Sequence, residues 1–340
     1  MTAPAPPGYV RLTPARVLDA LDAVGLRPDG RLLQLNSYEN RVFQAFLEDG
    51  SAVVAKFYRP GRWSDAQIVE EHAFSLELAQ AEVSVVAPRV LQAAPVPGLE
   101  LLGDPPTLAR WAVDGDVLRY SVSPRCAGRA ADLDAPDILL RIGRFIGRMH
   151  VVGSRRAFGH RVRLDPRSDG ATAQQTLLAL GCITPNEIDA WVDACRRALA
   201  AVVCAFDEAG PLVERRLHGD CHPGNVLWRD DGPHAVDLDD ACTGPAVQDL
   251  WMLVSGDAAD MAQQLARLLE GYREWMDFDR RELSLIEPLR TLRMIRHSAW
   301  LAERWSDPAF PIAFPFFGTA AYWSQQTAQL REQLEAMASG

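Results

Sequence analysis

Residues 216–240 read RLHGDCHPGNVLWRDDGPHAVDLDD. Asp220 and Asn225 stand five apart on a loop that opens into a predicted hairpin, and Asp237 follows twelve residues after Asn225. This D-x4-N…D spacing suits phosphoryl transfer. One Asp orients and deprotonates an accepting hydroxyl, while Asn and the second Asp hold Mg²⁺ against the phosphates of ATP. The residue types follow from the task, because Mg²⁺ takes hard oxygen ligands and few of them from protein. Taken alone, such a spacing is more often a polar loop of solvated acids. The rest of the chain has to carry the reading.

The basic residues carry much of it. Of the 35 Lys+Arg, 34 are Arg, and Lys56 is the lone lysine. A chain that uses Arg wherever it can, yet keeps Lys once, points to a need for a compact ammonium rather than a planar fork. Lys56 lies in VVAKFY, the third of three predicted strands (RLLQLNS, NRVFQAFLED and SAVVAKFY) joined by polar turns, with Asp49-Gly50 as a hairpin signal. A helix follows, with Ser64 as N-cap and helix formers to about Glu82. Glu70 and Glu71 lie on it; Glu71, on the face of Ile68 and Ser75, is the expected partner of Lys56. Lysine, helix glutamate, D-x4-N and a metal Asp thus occur in the order a kinase needs.

Further along, VSVVAPRVLQAA reads as extended, residues 94–106 as a turn-rich connection, and TLARWAV and VLRYSVSP as a strand pair. Helices are expected over 138–152, 185–209, 257–276, 282–305 and 319–337, interrupted by PAFPIAFPFF at 308–317, with one β island at 225–240. The fold class is α+β and bilobal: a β-rich nucleotide lobe over 1–122 and a mainly helical catalytic lobe over 123–340, hinged near Ser123–Arg125. Ligands favour the cleft between such lobes.

Composition narrows the partners. With 340 residues, net charge -10, 48% hydrophobic and 24% charged residues, the chain is long enough for two cores. The acidic balance (pI near 5.2) argues against nucleic acid. No apolar run is long enough to span a membrane, and the head MTAPAPPGYVRL lacks the features of a signal peptide. Six cysteines form no CxxC pair. A cytoplasmic monomer is expected.

The chain resembles the aminoglycoside-phosphotransferase-like kinases, and among them the stress response kinase A subfamily. The resemblance runs from about Leu35 to Thr327, through LNSYENRVFQ, VVAKFYRPGRWSDAQIVEEH, RLHGDCHPGN, VDLDDACTGPAVQDLWML and RWSDPAFPIAFP. It implies a cytoplasmic, Mg²⁺-dependent kinase that transfers the γ-phosphoryl of ATP to Ser/Thr of proteins, itself included. It carries Asp220 over as proton acceptor, Asn225 and Asp237 as magnesium ligands, and Ser37 as a contact to ATP. A kinase for a small aminoglycoside, choline-like or sugar hydroxyl is the alternative, and a catalytically silent nucleotide-binding regulator a more distant one.

The sequence also departs from protein kinases. No G-x-G-x-x-G covers the phosphates; the turn Asn36-Ser37-Tyr38-Glu39-Asn40 stands there instead. No long activation segment follows Asp237, so a switch of that kind is not expected. The resemblance suggests that Asp249 braces the His218–Asp220 backbone. His218 is read as structural, and His222 lacks the further ligands that zinc needs. Asp239 and Asp240 add charge near the metal or are merely solvated. Trp251, Trp300 and Trp305 are read as core. Cys221 and Cys242 flank the site either as inert fillers or as oxidation-sensitive thiols.

Overall fold

Alternation along two adjacent strands sets the direction of Lys56. In β2 (Arg41–Leu47) and β3 (Ala52–Phe57) the buried positions are Phe43, Ala45, Leu47, Val53, Ala55 and Phe57. Side chains of a strand alternate between faces, so Lys56 leaves the sheet on the side opposite Ala55 and Phe57. Asp49-Gly50 makes the connecting turn, where Asp49 Oδ1 accepts from Ser51 N at 2.9 Å. This computed structural model describes residues 12–133 and 135–339; most of the head read above for a leader lies outside them.

β1 (Pro28–Leu35), β2, β3, β4 (Leu99–Leu102), β5 (Leu108–Val113) and β6 (Asp116–Pro124) form one antiparallel sheet, in the order β1-β2-β3-β6-β5-β4. α1 (Pro14–Ala23) covers its far face, burying Val17, Ala20 and Leu21 against Phe43, Val53, Trp111 and Tyr120. α1 and β4 are absent from the sequence-based expectation. Thr13-Pro14 does carry a helix-start signal, with the Thr13 hydroxyl accepting from Arg16 N at 3.2 Å. The stretch 83–94 runs extended, but outside the sheet. Its single bridge is Val85 to Ala235, across to the other lobe.

After β6 the chain crosses to β7 (Arg129–Ala130), which pairs with β9 (Val226–Arg229); β9 in turn pairs with β10 (Gly232–Ala235). A second ladder joins β8 (Arg215–Leu217) to β11 (Cys242–Gly244), so the helical lobe holds more than the expected hairpin. Its helices are α3 (Pro136–Gly153), α4 (Pro166–Leu180), α5 (Ile188–Ala209), α6 (Ala258–Tyr272), α7 (Ile286–Glu303), α8 (Ala309–Ala313) and α9 (Ala320–Ser339). α4, capped by Asp165, was missed in the sequence because its apolar pattern is weak. α3 and α6 pack backbone to backbone: a Cβ on Gly143 would stand 2.0 Å from Leu268 O. None of the helices among the described residues is long and apolar enough to cross a membrane.

α2 (Asp65–Gln80) begins at the expected N-cap Ser64, which Gln67 completes into a capping box. It is tied to the helical lobe as firmly as to the sheet. Phe74 and Leu78 belong to the core that holds Ile142, Phe145, Met149, Val226 and Trp251. The Glu70 carboxylate receives the backbone N–H of Gly159, His160 and Arg161, the latter two at 2.8 and 2.7 Å. The fold is thus the bilobal α+β kinase-like fold that the sequence implied, with its α2 pinned in place.

Candidate active site

Lys56 meets the far lobe at two carboxylates. Its Nζ lies 2.6 Å from Asp237 Oδ1 and 3.3 Å from Asp239 Oδ1. Burial by itself would lower the pKa of Lys56, but the charges of Asp237 and Asp239 outweigh it and raise the pKa well above the ordinary range. Asp237 adopts a left-handed conformation, φ 58°. Non-glycine residues rarely visit that region, and when they do the surroundings hold them there for a reason. Here it aims the carboxylate into the cleft, where 53% of the side chain stays exposed.

Asp239 is not a solvated acid. It is buried, and its carboxylate receives Asn40 Nδ2 at 3.1 Å and Arg62 Nη1 at 2.8 Å. Burial would raise its pKa, yet Lys56 and Arg62 hold it far below the usual carboxylate range. Asp240 takes the other Arg62 nitrogen at 2.6 Å. Arg161, which the sequence reading passed over, donates to Ala241 O at 2.8 Å and Asp239 O at 2.6 Å and so fixes the turn behind Asp237.

The loop carrying Asp220 is braced from beneath. Asp249 is fully buried and accepts His218 N and Gly219 N, each at 2.8 Å, while His150 Nε2 lies 3.1 Å away. It closes a 3-10 turn (Ala246–Asp249). His218 is structural: Nδ1 accepts from Asp220 N and Nε2 donates to Val236 O at 2.9 Å. Gly219 has φ +84°, and a Cβ there would fall 2.1 Å from Asp240 O. That contact leaves no room for a side chain at position 219.

Asn225 donates through Nδ2 to Asp220 O at 3.0 Å, which leaves Oδ1 available. Val236 N donates to Asn225 O at 3.0 Å, which brings the backbone of Asn225 beside the residue before Asp237, so the two residues supply hard oxygens from neighbouring turns. Such a set fits Mg²⁺, which completes its shell with water and phosphate. Among the described residues no group of three His, Cys, Asp or Glu gathers as a metal cluster, so His222 stands without zinc partners. Its Nδ1 accepts from Gly224 N at 3.0 Å, and its Nε2 lies 3.5 Å from Asp220 Oδ2. The other Asp220 oxygen receives Arg293 Nη1 from α7.

The turn 36–40 is held by a buried arginine. Arg59 donates to Glu39 O at 2.9 Å and Tyr38 O at 3.0 Å, and Asn40 Oδ1 accepts Arg59 N at 3.1 Å. Glu39 reaches α7, where Trp300 Nε1 and Arg304 Nε both donate to Oε2 at 2.6 Å. Trp300 is therefore a brace between lobes as well as packing, whereas Trp251 is core and Trp305 packs on Phe317. Ser37 sits half-buried on this turn.

Glu71 corrects one expectation. It is buried on α2, but its Oε1 accepts from Ser75 Oγ at 2.7 Å, and the ion pairs of Lys56 run to Asp237 and Asp239 instead. Burial raises the pKa of Glu71 against the pull of Lys56. Its charge acts on the ammonium from farther away. Glu70, set aside in the sequence, does the anchoring of α2. Cys221 and Cys242 are both buried; burial and the nearby Asp249 push the first thiol well up and the second to about 12.

Comparisons with known proteins give the family and the fold. The profile of the phosphotransferase enzyme family matches residues 31–286. Stress response kinase A of Escherichia coli (strain K12) is 42% identical over 330 residues, covering 97% of this chain and 94% of that protein. The protein named serine/threonine protein kinase RdoA in Salmonella typhimurium (strain LT2) is 42% identical over the same span. Among solved structures, the amicoumacin kinase hAmiN in complex with AMP-PNP, Ca²⁺ and Ami superposes with TM-score 0.70 at 18% identity, covering 96% of this chain and 94% of that one.

Proposed function

The chain belongs to the phosphotransferase enzyme family, and on that premise we propose that it transfers the γ-phosphoryl group of ATP to Ser/Thr hydroxyls of proteins, itself included, in a bacterial stress response. The observation that carries the reading is the meeting of Lys56 from one lobe with Asp237 from the other, beside the braced Asp220–Asn225 loop. Identity to relatives named as a stress response kinase and as a serine/threonine protein kinase, across 97% of the chain, supports the protein acceptor.

Each residue has a task set by its surroundings. Lys56, half-buried and charged, exchanges its Asp237 partner for the α/β-phosphates when nucleotide enters. Glu71 and Asp239 keep that ammonium charged, and Ser37 offers its hydroxyl to phosphate from the turn above. Asp220 orients the acceptor hydroxyl and takes its proton, the His218–Gly219 backbone being fixed by Asp249 so that the carboxylate does not drift. Mg²⁺, held by Asn225 Oδ1 and Asp237, would neutralise phosphate charge when bound. The nucleotide lobe is residues 1–122 and the catalytic and substrate lobe 123–340, in a cytoplasmic monomer that uses neither nucleic acid nor membrane.

A kinase for small hydroxyl compounds is the second reading, favoured by the fold it shares with an amicoumacin kinase. Purified protein and γ-labelled ATP, offered casein-like proteins beside a panel of aminoglycosides, choline and sugars, tests the two together. Label on protein, including the enzyme, supports the first reading. Label confined to a small molecule overturns it.

A further inference from the structure

One guanidinium stands on the carboxylate assigned to the acceptor. Arg293 Nη1 donates to Asp220 Oδ1, and the arginine side chain remains 45% exposed. Its helix neighbours are engaged elsewhere. Arg290 Nε lies 3.1 Å from Glu287 and its guanidinium covers the Trp251 ring; Arg296 lies 3.6 Å from Asp169. Among the described residues Asp220 is the only hydrogen-bond partner of the Arg293 side chain, so most of its guanidinium N–H groups remain for a ligand.

The helix that carries it is a wall of the cleft. Arg293, His297, Trp300 and Arg304 follow one another at spacings of four, three and four, which keeps them on one helical face. At one end of that face Arg293 touches Asp220; at the other, Trp300 and Arg304 hold Glu39 of the turn over the phosphates. The ring of His297 stacks on Trp300 between them. Whatever lies along this wall presents its acceptor oxygen to Asp220 and its flanking groups to Arg293.

An acceptor hydroxyl has to come within about 2.6–3.2 Å of an Asp220 oxygen. A neutral acceptor meets a carboxylate already bonded to a guanidinium, and must compete with it. An acceptor with a carboxylate next to its hydroxyl offers the planar fork a matching anion in exchange. The guanidinium then moves to the substrate, and Asp220 is released to take the proton. In a chain of net charge -10, an acidic substrate gains nothing from the overall field, so its recognition falls to a local cation.

Resting on the protein-kinase reading above, the geometry points to Arg293 as the residue that selects acceptors, favouring Ser/Thr flanked by Asp or Glu. In the absence of such a segment the same side chain caps Asp220 and lowers turnover on neutral acceptors.

The test uses two peptides that differ only in the residues flanking one serine, Asp/Glu in one and Asn/Gln in the other. Wild type should favour the acidic peptide by about ten-fold or more in kcat/KM, which is about 1.4 kcal/mol, and less so at high salt. Arg293→Gln should bring the two peptides within about two-fold, with the loss on the acidic peptide appearing in KM. Arg293→Lys keeps the charge without the fork and should fall between. Equal rates in wild type, or an unchanged preference in Arg293→Gln, would overturn the assignment while leaving protein phosphorylation standing. Failure of wild type to label either peptide or casein, while it labels a small hydroxyl compound, would remove the protein-kinase reading and this inference with it.

Discussion

Lys56 Nζ and Asp237 Oδ1 are 2.6 Å apart, although one belongs to a strand of the sheet lobe and the other to the turn after β10 in the helical lobe. Strand alternation aims the first across the cleft, and a left-handed backbone at Asp237 aims the second back. α2 stands beside this pair and is bound to the helical lobe through Glu70 and the Phe74–Leu78 face.

Lys56→Arg tests whether the ammonium is needed as such. Lys56 lies between the buried carboxylates of Asp239 and Glu71 and the open carboxylate of Asp237, a space that fits a point charge, so the larger fork should displace the nucleotide. The expected loss in kcat/KM is about a hundred-fold, as a 1 Å misplacement can cause. Activity within a few-fold of wild type would return Lys56 to the status of an arbitrary surviving lysine.

Gly219→Ala should damage the catalytic loop without touching any charged group. The new methyl would lie 2.1 Å from Asp240 O, at a φ of +84° that costs an L-residue about 1–2 kcal/mol before the clash is counted. A total loss above about 3 kcal/mol, or a folded protein with kcat down by about a hundred-fold, is expected from denaturation and steady-state assays. Unchanged melting with unchanged kcat would contradict the loop packing.

His72 makes stability depend on acid. Its ring is buried between Tyr58 Oη at 2.7 Å and Thr107 Oγ1 at 2.9 Å; burial, then the charge of Lys56, pulls its pKa down to about 3. An unfolded histidine titrates near 6.5. Between these values the unfolded chain binds a proton that the folded chain refuses, so stability falls as pH falls. Above about 6.5 the group contributes no pH dependence. From pH 7 to pH 5 its share is about 2 kcal/mol. Urea unfolding at both pH values should give a loss smaller by about that amount in His72→Gln; an identical loss in both proteins would exclude the linkage.

The cysteines beside the site should not respond to oxidation. Thiolates react, and burial with Asp249 nearby keeps Cys221 and Cys242 protonated. Dilute peroxide should inactivate wild type and a Cys221→Ala, Cys242→Ala variant at the same rate, with no oxidised sulfur on either residue by mass spectrometry. Faster loss in wild type would revive the redox-sensitive reading.

The legible parts of this molecule are those where sequence and contact are local. Strand composition and turn signals placed Lys56 on β3, and Ser64 was readable as the N-cap of α2. What stayed hidden depends on partners far along the chain. Glu70 and Glu71 are neighbours of the same type, and only the fold shows that Glu70 faces the 159–161 backbone while Glu71 bonds Ser75. Arg161 and Arg293 look like any other arginine in an arginine-rich chain. Their importance appears when α7 and the 159–161 loop close on the catalytic turns.

The central claim is that this cleft transfers phosphoryl groups with Asp220 as the proton acceptor. The most direct measurement is Asp220→Ala, with kcat and the dissociation constant for ATP taken on the same preparation. On this assignment the carboxylate serves the acceptor and not the nucleotide, so kcat should fall by about a hundred-fold or more while ATP binding stays within about three-fold. If the variant keeps more than about a tenth of wild-type kcat, less than about 1.4 kcal/mol of the barrier depends on Asp220, and the assignment is contradicted.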